Sequence, residues 1–209
     1  CINFPIFDKN GVLCGMYGRR TSHKHRTRHL YLPGPHRGIW NREAYTQPAV
    51  VLCESIIDAL TFYVHGIRNV TCAYGVEGFT DEMMSVLKES DVKRLLIAYD
   101  PDAAGDRAAI RLAERIAAER GTIQCLRVKF PMGMDANDYA RRSTDPAGSL
   151  RELLAEARPV NETRIPSASA PPPLLDEIPS KAVKPSLSAA PECELAGEEV
   201  RFQYAERKY

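Results

Sequence analysis

The sequence predicts an α/β fold, a mostly parallel sheet flanked by helices. Between about residues 49 and 158, short apolar runs bounded by turn residues alternate with segments of helical period, the pattern of successive strand-helix-strand units. Acidic residues cluster directly after the most strand-like runs, where open α/β sheets bind their ligands. The composition then changes abruptly: eight prolines fall within the 33 residues 159–191, around Pro171-Pro172-Pro173, with Ala and Ser filling much of the rest. Such a stretch buries too little apolar area to offset its ordering entropy, so a disordered, extended linker is expected there. Residues 192–209 are expected to begin a further, truncated domain.

In chain order, Ile2–Phe7, a turn at Lys9-Asn10-Gly11 and a second run at 12–17 predict a β-hairpin. An irregular basic stretch follows, and residues 1–48 are expected to form a small mixed α+β basic subdomain. Strands are predicted at Ala49–Cys53, 70–73, 94–99 and 122–128. Helices are predicted at 55–65, stopped by Gly66; at Asp81–Glu89, opened by Thr80; and at 106–120, stopped by Gly121. In the last, Ile110, Ala113, Ile116 and Ala117 mark an apolar stripe.

Lys plus Arg number 28 against 27 Asp plus Glu, a net charge of +1 over 209 residues. The whole chain is therefore neither a strong polyanion binder nor an acidic tail. The balance hides a split: residues 1–50 hold eight Lys/Arg against two acids, and four of the five histidines. Arg19, Arg20, Lys24, Arg26, Arg28 and His29, with Tyr17 and Tyr31 nearby, fit a phosphate-tracking groove with stacking rings; a solvated loop explains the charge equally well. Cysteines 1, 14, 53, 72, 125 and 193 form no C-x-x-C pair, which argues against a zinc module or a disulfide framework. No apolar stretch reaches the roughly 20 residues that span a bilayer, and the expected location is cytoplasmic. The chain opens on Cys1 rather than Met and is expected to be a fragment trimmed at both ends.

Glu54 follows the Ala49–Cys53 run, with Asp58 one helical turn on; Asp100-Pro101-Asp102 follows 94–99; Asp135, Asn137 and Asp138 follow 122–128. A single acid at a strand end is more often a helix cap. Three clusters after three sheet strands exceed what capping explains, and converging carboxylates suit hard divalent cations. There is no Gly-x-x-x-x-Gly-Lys loop and no Gly-x-Gly-x-x-Gly turn after a strand, so P-loop and dinucleotide chemistry are excluded.

The order Glu54 with Asp58, a Gly75 turn, Asp100-Pro101-Asp102 with Gly105 and Arg107, then Gly133-Met134-Asp135-Ala136-Asn137 resembles the Toprim domain of bacterial and mobile-element DNA primases of the zinc-finger plus Toprim family. Asn3-Phe4-Pro5-Ile6-Phe7-Asp8, Gly15-Met16-Tyr17-Gly18-Arg19-Arg20 and Tyr31-Leu32-Pro33-Gly34-Pro35 resemble the basic subdomain that precedes Toprim in the primase polymerase core. The similarity runs over roughly residues 2–158 and implies a basic subdomain over 1–48 and a Toprim domain over 49–158. It implies DNA-directed RNA primer synthesis on a single-stranded DNA template from ribonucleoside triphosphates. Mg²⁺ or Mn²⁺ would be held by Glu54, Asp58, Asp100, Asp102 and Asp135, with Glu54, Asp100 and Asp102 catalytic. Arg19, Arg20, Lys24, Arg26, Arg28, His29 and Arg107 would contact nucleic acid or nucleotide. It further implies a replicative helicase as partner, and Zn²⁺ only in a zinc-finger domain outside this chain. Ser55 stands where the family commonly has Gly, Asn137 where a second Asp is common, and Arg28 or His29 where Lys is typical. The same acids also serve Toprim nucleases and topoisomerase-like strand transferases, and a non-catalytic nucleic-acid-binding module of a mobile element is a further alternative.

Overall fold

The computed structural model describes residues 1–21, 27 and 29–160. Lys24, Arg26 and Arg28, the linker expected over most of 159–191 and the segment 192–209 lie outside the described residues.

The hairpin forms as its turn chemistry requires. β1 (Ile2–Phe7) pairs antiparallel with β2 (Leu13–Arg19), and β3 (His29–Tyr31) adds to β2 in the register Tyr17↔Tyr31 and Arg19↔His29. Asp8 Oδ1 accepts from the Asn10 and Val12 backbone N–H groups and closes the turn. Among the described residues of 1–48 the only helix is a 3-10 turn, Arg42–Thr46.

The second sheet has the strand order β5-β4-β6-β7-β8, built from β4 (Ala49–Cys53), β5 (Val70–Cys72), β6 (Arg94–Ala98), β7 (Gln124–Arg127) and β8 (Arg158–Pro159). The first four run parallel and β8 is antiparallel to β7. β4 is buried along its whole length and β6 from Leu95 to Ala98, as expected for strands covered on both faces. Helices α1 (Ile56–Val64), α4 (Ala136–Arg142) and α5 (Pro146–Ala155) pack on one another in sequence, and α2 (Asp81–Glu89) packs on α3 (Ala103–Arg120). Right-handed crossovers place these two groups on opposite faces of the sheet.

The predicted strands and the first two helices form where the periodicity places them, with Ser55 and Thr80 as N-caps accepting from the Asp58 and Met83 N–H groups. Three details differ. Helix α3 opens three residues earlier than the periodicity indicates, because Asp102 caps it by accepting from Gly105 N–H at 2.7 Å. Its buried face is Ala109, Leu112, Ala113 and Ile116, whereas Ile110 and Ala117 face outward; the small residues settle against the sheet and leave Ile110 on the far side. Finally, Pro159 pairs with Leu126 and Val160 is buried, so the ordered chain runs past the point where the composition changes.

Candidate functional site

β4 connects through α1 to β5 on one side, and the chain then crosses to β6 on the other side of β4. The strand order therefore reverses between β4 and β6, and the crevice beyond their carboxyl ends is the natural ligand site of such a sheet. Glu54 leaves β4 and Asp100 leaves β6 at this reversal, their strands paired as Cys53↔Ala98. Gly75, at φ +95°, closes the turn after β5 and donates its N–H to the Glu54 carbonyl at 3.0 Å. A side chain is strained in that left-handed conformation.

Of the five sequence-predicted acids, Glu54, Asp58 and Asp100 have raised carboxyls. Burial, then the charges of Asp100 and Asp102, push the Glu54 carboxyl above its usual range, against a hydrogen bond from the Asp100 backbone and the Arg127 charge. Asp58, in the first turn of α1, is pushed up to about 7 by burial, with Asp135, Asp100 and Glu54 adding to the rise and the Ser55 hydroxyl opposing it. That hydroxyl donates to Asp58 Oδ2 at 2.5 Å. Burial and the neighbouring Asp135 and Asp102 likewise raise Asp100. Asp135 reaches the group because α4 docks on α1, where Asn137 Nδ2 donates to Thr61 Oγ1 at 3.3 Å.

Among the described residues, no three His, Cys, Asp or Glu side chains close around one point as a ready-made cage. Asp102 and Asp135 each commit one oxygen to a helix cap, Asp135 accepting from Asp138 N–H at 2.7 Å. Carboxylates placed near one another without a closed cage suit a cation such as Mg²⁺, which in proteins is usually bound by one or two carboxylates and completes its shell with water and substrate phosphate.

The basic residues divide. Arg19 and Arg20 are half-buried at the end of β2. The Arg19 guanidinium contacts His29 Nε2, and His29 Nδ1 shares a hydrogen bond with the Tyr17 hydroxyl at 3.0 Å. Burial, with a smaller contribution from the Asp58 charge, raises the Tyr17 hydroxyl, against the Arg19 charge and hydrogen bond. Tyr17 is not a free stacking ring: it is 0% exposed, packed between Phe4 and Tyr31. Arg107 is exposed on α3 away from its buried face, and no contact among the described residues ties it to the carboxylates.

Sequence reasoning passed over Arg127, which is 4% exposed in β7. Its three guanidinium nitrogens donate to the carbonyls of Ile97, Tyr99, Val128 and Asp100 and to the Asp106 carboxylate, at 2.7 to 3.2 Å. The signal was a lone cation inside the apolar run Leu126-Arg127-Val128.

A family model described as Toprim-like matches residues 51–140, the stretch that holds Glu54, Asp58, Asp100, Asp102 and Asp135. Residues 51–140 are a Toprim-like domain. Around it, the chain is similar to Toprim-domain DNA primases. It is 29% identical over 123 residues to the DNA primase of Legionella pneumophila and 25% over 173 residues to that of Clostridium acetobutylicum, covering 54% and 78% of this chain. It spans only 21% and 28% of those relatives. Among solved structures, the DnaG primase catalytic domain bound to ssDNA superposes with a TM-score of 0.64 at 21% identity, over 76% of this chain and 53% of that one. The likeness extends beyond the 51–140 domain, so the fold is similar to about half of that catalytic domain. Among the described residues no helix is long and apolar enough to cross a membrane.

Proposed function

We propose that this chain is the metal-binding part of the polymerase core of an RNA primer-synthesising enzyme, acting on single-stranded DNA with ribonucleoside triphosphates. What supports it is the placement of Glu54 and Asp100 where their paired strands end at the strand reversal, with Glu54, Asp58 and Asp100 raised by burial and, after it, by neighbouring acids. Asp100 and Asp102 would hold Mg²⁺ or Mn²⁺, with Asp58 and Asp135 as flanking acids. Glu54, whose raised pKa brings it nearer to neutral pH, would serve as ligand or as proton acceptor for the attacking hydroxyl. Bound divalent metal would supply charge stabilisation for the attacking and leaving oxygens of nucleotidyl transfer. Arg19, with its imidazole neighbour His29, would neutralise template or nucleotide phosphate beside that rim, and Arg20, Lys24, Arg26 and Arg28 extend the same basic segment. A replicative helicase partner and a cytoplasmic location belong to the same proposal.

The test is template-dependent incorporation of labelled ribonucleotides by the full-length protein with Mg²⁺ or Mn²⁺. Glu54→Gln and Asp102→Ala should each cut incorporation by about a hundredfold or more, with the far-ultraviolet circular dichroism of the parent. Asp102→Ala also removes a helix cap worth about 1 kcal/mol, so its stability is measured alongside. Synthesis surviving in either variant would remove the assignment. Metal-dependent cleavage of the template without incorporation would favour a nuclease.

A further inference from the structure

A buried guanidinium needs a reason. Taking a cation out of water costs several kcal/mol unless it is well paired, and an apolar side chain of similar volume often serves stability as well or better. Among the described residues, the one carboxylate bonded to Arg127 is Asp106, whose side chain is 46% exposed. Its other bonds go to backbone carbonyls, and three of those belong to the end of β6 and the turn beyond it.

The β6–β7 ladder stops at Ile97↔Arg127. Past it, the Tyr99 and Asp100 carbonyls have left the sheet pairing and need donors from elsewhere. Arg127 supplies them, Nη1 to Tyr99 at 2.8 Å and Nη2 to Asp100 at 2.7 Å. The Asp100 carbonyl also lies close against the first turn of α3, where a Cβ on Gly105 would come within 2.3 Å of that oxygen. Gly105 N–H in turn binds the Asp102 carboxylate. The turn carrying both acids is thus fixed from the sheet by Arg127 and from the helix by Gly105.

We propose, building on the metal assignment above, that Arg127 is a positioning residue for the cation site: its planar fork clamps the Tyr99 and Asp100 carbonyls and so fixes the turn that presents Asp100 and Asp102. Like-charged carboxylates tend to splay, and the clamp holds them at the spacing a shared cation needs. Lysine cannot replace it, because an ammonium keeps the charge and loses the fork.

The test compares wild type with Arg127→Lys and Arg127→Gln in the full chain, using whichever variants keep the parent's circular dichroism, and with Asp106→Asn, which removes the ion pair and leaves the carbonyl bonds. Deuterium uptake at the amides of residues 100–106 should accelerate by about tenfold or more in the Arg127 variants and stay near wild type in Asp106→Asn, with β4 amides unchanged. Mn²⁺ affinity by calorimetry should fall by about tenfold or more in the Arg127 variants. Unchanged uptake at 100–106, or accelerated uptake with undiminished Mn²⁺ affinity, would overturn the proposal. A wild-type chain that binds no Mn²⁺ would instead sink the metal assignment, and the exchange comparison alone would then decide whether Arg127 holds the turn.

Discussion

Asp58 is 7% exposed, and the charged groups that shift its carboxyl are other carboxylates. Its proton is held to about 7 in the fold against 3.8 for an ordinary aspartate. Between those values the native state binds more protons than the unfolded state, so the free energy of unfolding falls as pH rises from about 4 to about 7. With a chelator present, urea unfolding at pH 5 and pH 8 should show the wild type losing stability on going to the higher pH, and Asp58→Asn should flatten that slope. The Asp58 contribution is on the order of 4 kcal/mol at full deprotonation. A pH profile identical in wild type and Asp58→Asn would show that the burial of this acid costs nothing.

At the scale of elements, the turn from β6 into α3 is tightly closed. Gly105 lies in the first turn of α3, and a methyl group there would meet the Asp100 carbonyl oxygen at 2.3 Å. Backbone on both sides leaves little room to yield. Gly105→Ala should therefore lower the free energy of unfolding by roughly 1–3 kcal/mol, read as a lower denaturant midpoint, and weaken Mn²⁺ binding, because the displaced atom belongs to a proposed ligand. A midpoint matching wild type would mean the turn relaxes freely. The N-terminal segment joins the rest through shared apolar packing of Ile6, Tyr17 and Ile39 and through polar side chains. Glu82 of α2 accepts from the Gly38 N–H at 2.8 Å, and the Tyr74 hydroxyl donates to the Gly38 carbonyl at 2.9 Å.

For the whole molecule, a cation that binds only the folded chain relieves the repulsion among its acids and stabilises by mass action. At a hundredfold excess over Kd, Mg²⁺ or Mn²⁺ should raise the thermal midpoint by roughly 5 °C or more. The shift should be larger at pH 8 than at pH 5.5, where protons compete for Asp58, and should shrink in Glu54→Gln. Differential scanning calorimetry with and without the metal reads it directly, and equal shifts at both pH values would count against the carboxylates as ligands.

The sequence by itself determined the hairpin, the four parallel strands and the three helices between them, the cap at Thr80 and the three acidic clusters, because these depend on residue type at short separation; β3, α4, α5, β8 and the cap at Ser55 emerged only in the structure. It also carried enough local pattern at residues 2–35 and 54–137 to resemble one family. It did not determine that α3 begins at Asp102, since an acid after a strand serves a cap and a cation site equally well. Tertiary structure alone decided that β6 lies beside β4 rather than beyond β5, which places Glu54 against Asp100. The same packing buried Tyr17, turned Arg107 outward and brought Arg127 to carbonyls about 30 residues away. Pairing across a sheet and burial by packing are set by contacts distant in the chain, and no short window of sequence records them.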